Sequence, residues 1–143
     1  METLEQRQFE AALMRRGGID GDSAQIASAV VSIWQEIATC LSPIIGKGGV
    51  DPLYQRSLYL AGRTHPWLMT VHGRTHLAAM GLEALKSTLA EQSSANAAAG
   101  GAALLHTFYA LLSSLIGASL TERVLYPIRI NFLSDPPERN TLP

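Results

Sequence analysis

The stretch of sequence that decides the fold covers residues 92–121 and reads QSSANAAAGGAALLHTFYALLSSLIGASLT. It contains no Asp, Glu, Lys or Arg. Its second half, residues 102–120, is mostly Ala, Leu, Phe, Tyr and Ile, and a segment of that composition must be removed from water. Lipid, the interior of the protein and a second chain are the three environments that can remove it.

The polar residues of this stretch argue against a membrane span, although residues 101–120 are long enough to cross about 30 Å of hydrocarbon. His106, Thr107 and three serines interrupt the segment, and polar groups within a lone span are costly without partners. Its nearest charged neighbours, Glu91 and Glu122, are acidic rather than the basic residues typical of span ends. We therefore predict a buried helix and no membrane association.

Length and composition predict one water-soluble domain that associates with itself. A chain of 143 residues can bury a core without disulfides or metal. Only 16% of its residues are charged, against about 25% in typical soluble domains. Few charges leave apolar surface uncovered, which favours an oligomer, and two-fold homodimers are the commonest kind.

Charge and cysteine content bear on partners and compartment. The net charge of −1 supplies no global basic field for nucleic acid, so we predict no nucleic-acid partner. Cys40 is the only cysteine, which suits a reducing compartment. The polar, acidic N-terminus is unlike a signal peptide, and we predict a cytoplasmic protein.

Apolar spacing predicts an all-α fold, a single-domain bundle of about five helices. The clearest is the second helix, Asp22 to Leu41, whose apolar side chains recur at steps of four and three. The third is expected to follow a loop at residues 46–49, with Asp51 as its cap and Pro52 at its first position. A turn is expected within residues 92–101.

A long apolar C-terminal helix is predicted from about Ala97 to Tyr126, with Pro127 ending it. Residues 1–127 then form the bundle, and residues 128–143 an extended C-terminal tail. Gly117, between small neighbours, is the expected point of close approach to another helix. Gly117→Leu should therefore disturb packing or assembly far more than any change in the loop around Gly46.

A ligand-binding region is predicted at the junction of the third and fourth helices, where basic, polar and aromatic side chains converge in the sequence. A small anionic or apolar ligand would suit them. The candidate residues are Arg56, Tyr59, Arg63, His65, Trp67, His72 and Arg74.

A metal site at His72 and His76 is a further candidate, because residues four apart share one helical face. No Asp, Glu or Cys lies between Asp51 and Glu83, whereas zinc needs three or four ligands. The alternative interpretation is two partly exposed histidines beside Arg74.

Motifs for catalysis and cofactors are missing from the sequence. Gly46-Lys47 lacks the earlier glycine and the following Ser or Thr of a phosphate-binding loop. We expect no cofactor and favour a non-enzymatic helical module of regulatory, signalling type, a homodimer that could also bind another protein. The alternative is a helical sensor that binds a small ligand at the junction, or metal at His72 and His76.

Overall fold

A computed structural model describes residues 4–16, 23–70 and 82–133 of the chain. Across these ranges the protein is all-helical and has no strand, which confirms the predicted fold class. Residues 68–70 are helical at the edge of a described range. The helices with defined bounds are α1 (Leu4–Arg16), α2 (Ser23–Ile45), α3 (Lys47–Gly62), α4 (Leu82–Ala90), α5 (Ser94–Ile116) and α6 (Ala118–Leu133).

Buried side chains from all six of these helices form one hydrophobic cluster. The predicted apolar stripe of α2 lies within it, from Ile26 to Leu41. Trp34 of α2 contacts Tyr54 of α3 and Phe108 of α5 edge to face, with ring centroids 4.9 Å and 4.8 Å away. Because edge-to-face pairs are favourable beyond their buried area, these rings join three helices at the core.

The first half of α5 is the central helix, and its small residues permit this position. Ser93 caps α5, accepting a hydrogen bond of 3.1 Å from the backbone N–H of Asn96. The predicted turn lies within residues 92–101 but ends at Ser93, and the helix begins at Ser94 rather than at about Ala97, so Gly100 and Gly101 lie buried inside it. A Cβ on Gly101 would lie 2.9 Å from Val30, which shows how closely α2 approaches.

The chain turns a corner at Gly117, where the sequence predicts one continuous helix. Gly117 has φ 95° and ψ 146°, a conformation available almost only to glycine. A Cβ there would meet nothing within 4 Å among the described residues, so Gly117 is not a point of close approach within this chain, and its approach to a second copy stays a prediction. The predicted uninterrupted helix to Tyr126 is also wrong, because α5 ends at Ile116 and α6 begins at Ala118.

Pro127 lies inside α6 and does not end it. It has no N–H to donate to the carbonyl of Arg123, and its ring is exposed on the helix surface. The predicted extended tail is therefore wrong for residues 128–133, which are helical. Residues 134–143 lie outside the described ranges.

Gly46, with φ 79°, is the only residue between α2 and α3. Its N–H donates to the carbonyl of Ser42 at 2.9 Å, and α2 continues through Pro43. The predicted loop over residues 46–49 and the cap at Asp51 are wrong, because α3 begins at Lys47 and includes Asp51. Gly46 alone thus connects α2 to α3, where the sequence predicts a loop of four residues.

Two helices, α2 and α5, are long and apolar enough to cross a membrane by length and composition. The core helix of a soluble protein passes the same test. On α2, the side that faces away from the core carries Gln35, Glu36 and Thr39. The absence of membrane association stays a prediction.

Candidate functional site

Helix α6 folds back from the Gly117 corner and packs on α5, α2 and α1. Its inner face buries Thr121, Leu125 and Ile128, at steps of four and three. The Tyr109 hydroxyl of α5 donates a hydrogen bond to the Glu122 carboxylate of α6. A charge-assisted bond of this kind is stronger than a neutral one, so it holds α6 against α5.

An apolar pocket lies under the inner face of α6, with a volume of about 30 Å³. This is room for about one water molecule, far below the 300 Å³ or more of small-molecule sites. We interpret it as a gap in packing rather than a ligand site. Its lining consists of Phe9, Ile33, Ile37, Leu105, Phe108, Tyr109, Leu125 and Ile128.

The opposite side of α6, called here the outer face, exposes large apolar side chains. Leu120, Tyr126 and Ile130 are 38%, 53% and 42% exposed. Leu115 at the end of α5, across the corner, is 60% exposed. Four of the eight large hydrophobic side chains that are exposed among the described residues therefore lie on or next to one helix face. The described outer face consists of Ser119, Leu120, Arg123, Tyr126, Pro127 and Ile130.

A groove of about 440 Å³, lined by both polar and apolar side chains, borders the outer face between α6 and α2. It is broadly open to solvent, so a small molecule there would stay largely hydrated. An apolar patch beside a polar, hydrated edge is the usual anatomy of a protein interface. The groove is lined by Ser32, Gln35, Glu36, Thr39, Cys40, Pro127 and Ile128.

The predicted ligand-binding residues fall at the end of α3 and in the turn after it. Arg56, Tyr59 and Arg63 are exposed. His65 and Trp67 are half-buried and form an edge-to-face pair with ring centroids 6.3 Å apart. The structure thus brings those two rings together.

The remaining candidates, His72 and Arg74, lie outside the described residues, as does His76. Convergence of the whole set on one ligand stays a prediction. No group of three or more His, Cys, Asp or Glu side chains that could hold a metal occurs within the described ranges. A metal site at His72 and His76 also stays a prediction.

A buried polar group that the sequence interpretation missed lies beside Trp34. The Tyr54 hydroxyl, the Trp34 indole N–H and one Asp51 carboxylate oxygen are buried without hydrogen-bond partners among the described residues. Burial, with a smaller contribution from the Asp51 charge, raises the pKa of Tyr54 above its ordinary value. The signal available in the sequence was the three-residue spacing of Asp51 and Tyr54, which places both on one face of α3.

Comparison of the chain with protein-family models, with curated sequences and with solved structures finds no match. The residues themselves therefore carry the functional argument.

Proposed function

We propose that the protein is a single-domain, cytoplasmic, non-enzymatic helical interaction module of regulatory type, which self-associates as a homodimer. The observation that carries this proposal is the exposure of Leu115, Leu120, Tyr126 and Ile130 at the end of α5 and on α6. Clusters of large exposed apolar side chains mark interaction surfaces.

The low net charge of the chain supports a second copy as the partner that covers this surface. The net charge of −1 gives two copies little mutual repulsion. Arg123 is the charged side chain that the described outer face presents, and Glu122 beside it already accepts from Tyr109. Charged residues are depleted at the cores of interfaces, as they are here.

Size-exclusion chromatography with light scattering at micromolar concentration tests the proposal. The parent protein should have the mass of a dimer. Leu115→Glu and Ile130→Glu should each give a monomer, because a carboxylate would be buried in the interface without a charged partner. The two side chains are 60% and 42% exposed, so the substitutions should leave the monomer folded.

Met14→Glu is the matched control. Met14 is 40% exposed, and its neighbour Leu13 lies next to Gly101, about 24 Å along α5 from the corner. This variant should remain a dimer. A monomeric parent protein would reject self-association altogether.

A second candidate function is that of a helical sensor for a small anionic or apolar ligand at the end of α3. The half-buried pair of His65 and Trp67, next to the exposed Arg63, favours it. Native mass spectrometry of the purified protein would show a bound molecule, and Arg63→Ala should reduce the bound fraction. Protein that is purified without any bound molecule would count against this function, and metal analysis would test His72 and His76.

A further inference from the structure

The outer face of α6 contains a narrow stripe that runs along the helix. Ser119, Arg123, Tyr126 and Ile130 follow one another at steps of four, three and four, and all four side chains are exposed. At 3.6 residues per turn they fall within about 60° of the helix circumference. The same steps separate the core positions of a coiled coil.

Two copies of this stripe are complementary when they lie antiparallel, because of the order of the side-chain types along it. In one direction it reads small, cationic, aromatic and large aliphatic. If a second copy lies antiparallel, with the two-fold axis between Arg123 and Tyr126, each Arg123 faces Tyr126 of the other copy. Ser119 then faces Ile130 of the other copy.

We propose that this stripe binds a second copy of the chain antiparallel, with each Arg123 guanidinium on the Tyr126 ring of the other copy. This inference rests on the proposed self-association and specifies its geometry. An arginine over a tyrosine face is attracted by the ring quadrupole. The small Ser119 leaves space for the branched Ile130 opposite it.

Parallel pairing of the same stripe is disfavoured by charge and shape. It would place the two Arg123 side chains against each other, and like charges across an interface oppose association. It would also place Ser119 against Ser119, where two small side chains leave a gap. The antiparallel register fills that gap, and it offsets the two Arg123 side chains by about 4.5 Å along the helix axes, each next to a Tyr126 ring of the other copy.

Cysteine cross-linking tests the register in the full-length chain, with Cys40→Ser to remove the native thiol. Chains with Ser119→Cys, mixed with chains with Ile130→Cys, should form a disulfide-linked heterodimer on mild oxidation. Each variant alone should cross-link poorly, because equivalent positions lie about 16 Å apart along antiparallel helices. Efficient cross-linking of each variant alone would instead show parallel pairing and overturn the proposal.

Light scattering on the same samples distinguishes failure of self-association from failure of the antiparallel register. A dimer that gives no mixed cross-link overturns the antiparallel stripe but leaves self-association standing. A monomer rejects the proposed function and this inference together.

Sedimentation equilibrium tests the contact between Arg123 and Tyr126. Arg123→Ala should weaken dimerisation about five- to thirtyfold, because two-fold symmetry removes two such contacts. Tyr126→Leu, which keeps an apolar side chain, should have a similar effect, and the double variant should lose little more. Arg63→Ala, at an exposed arginine on another helix, is the control. Fully additive effects would show that the two side chains do not interact, and would overturn the contact.

Discussion

The indole ring of Trp67 lies directly against Gly100 of α5, so closely that a Cβ on this glycine would overlap the Cζ2 and Cη2 atoms of the ring. This contact fixes the turn after α3 on the central helix. It also explains why a buried helix tolerates a glycine, which costs about 1 kcal/mol relative to alanine in a helix interior.

Gly100→Ala should lower the free energy of unfolding by about 1 kcal/mol. Alanine gains about 1 kcal/mol of helix propensity, but overpacking against the Trp67 ring costs about 1–3 kcal/mol. Chemical denaturation with tryptophan fluorescence measures both the stability and the displacement of Trp67. In a Trp67→Ala background the same substitution should stabilise the protein by about 1 kcal/mol. Stabilisation by Gly100→Ala in both backgrounds would show that the contact is not a constraint.

Gly117→Ala and Gly117→Leu should destabilise the protein to nearly the same extent, by about 1–3 kcal/mol. The cost arises from the positive φ of Gly117, while the space around a Cβ is open. Thermal unfolding of the two variants measures this cost. A much larger effect for leucine would show that packing, rather than backbone conformation, constrains the corner.

Gly46 offers a comparison for Gly117. It also has a positive φ and open space around a Cβ. Gly46→Ala should therefore have an effect similar to that of Gly117→Ala. This replaces the prediction that Gly117→Leu disturbs packing or assembly far more than any change in the loop around Gly46.

The stability of the protein should fall above about pH 10 because of Tyr54. Its folded-state pKa is raised above the ordinary value of about 10, so the unfolded chain loses this proton first as the pH rises. The stabilising contribution is complete below about pH 10, and stability then falls by about 1.4 kcal/mol per pH unit until the folded-state pKa is reached.

Tyr54→Phe should remove this alkaline loss. It should also leave stability at neutral pH unchanged or about 1 kcal/mol higher, since the buried hydroxyl has no partner among the described residues. Urea denaturation at pH 7 and above pH 10 checks both expectations. Tyr126→Phe, at an exposed ring, should keep the alkaline loss, and persistence of that loss in Tyr54→Phe would contradict the assignment.

Tyr109→Phe should loosen α6 without unfolding the core. It removes the hydrogen bond to Glu122, which is worth about 1.5–3 kcal/mol for a charged acceptor. Hydrogen exchange should show faster exchange in α6, while α2 keeps its protection. Glu122→Gln retains an acceptor and should have the smaller effect. Equal exchange in the parent protein and Tyr109→Phe would show that packing alone holds α6.

Local sequence patterns predicted the helices well and the corners poorly. The stripe of α2 from Ile26 to Leu41 was read from spacing alone, because burial on one helical face leaves a period in the sequence. Gly46 and Gly117 end helices through a single backbone conformation, which leaves no such period. Pro43 and Pro127 lie within helices although proline removes one backbone hydrogen bond, because other residues of each helix pack into the core.

The candidate site shows the same division. The sequence identified His65 and Trp67 as candidates, and the structure brings the two rings together. The sequence could not show that the Trp67 ring lies against Gly100. The outer face of α6 was not predicted, since the sequence interpretation buried Leu115 and Leu120 in a central helix. In the structure Leu115 is exposed at the end of α5, and Leu120 lies beyond the Gly117 corner.

The sequence by itself determined that this protein is helical and that the stretch without charges contains its central helix, because hydrophobic burial and helix periodicity leave local patterns in the sequence. The tertiary structure decided which part of that stretch is buried. Residues 97–105 lie in the core, where Gly100 and Gly101 let Trp67 and Val30 approach, whereas Leu115 and Leu120 face outward at the corner. The physical reason is that a residue is buried only where another helix packs against it. The helices that do so are distant in the sequence, so the composition of the segment alone does not determine its burial.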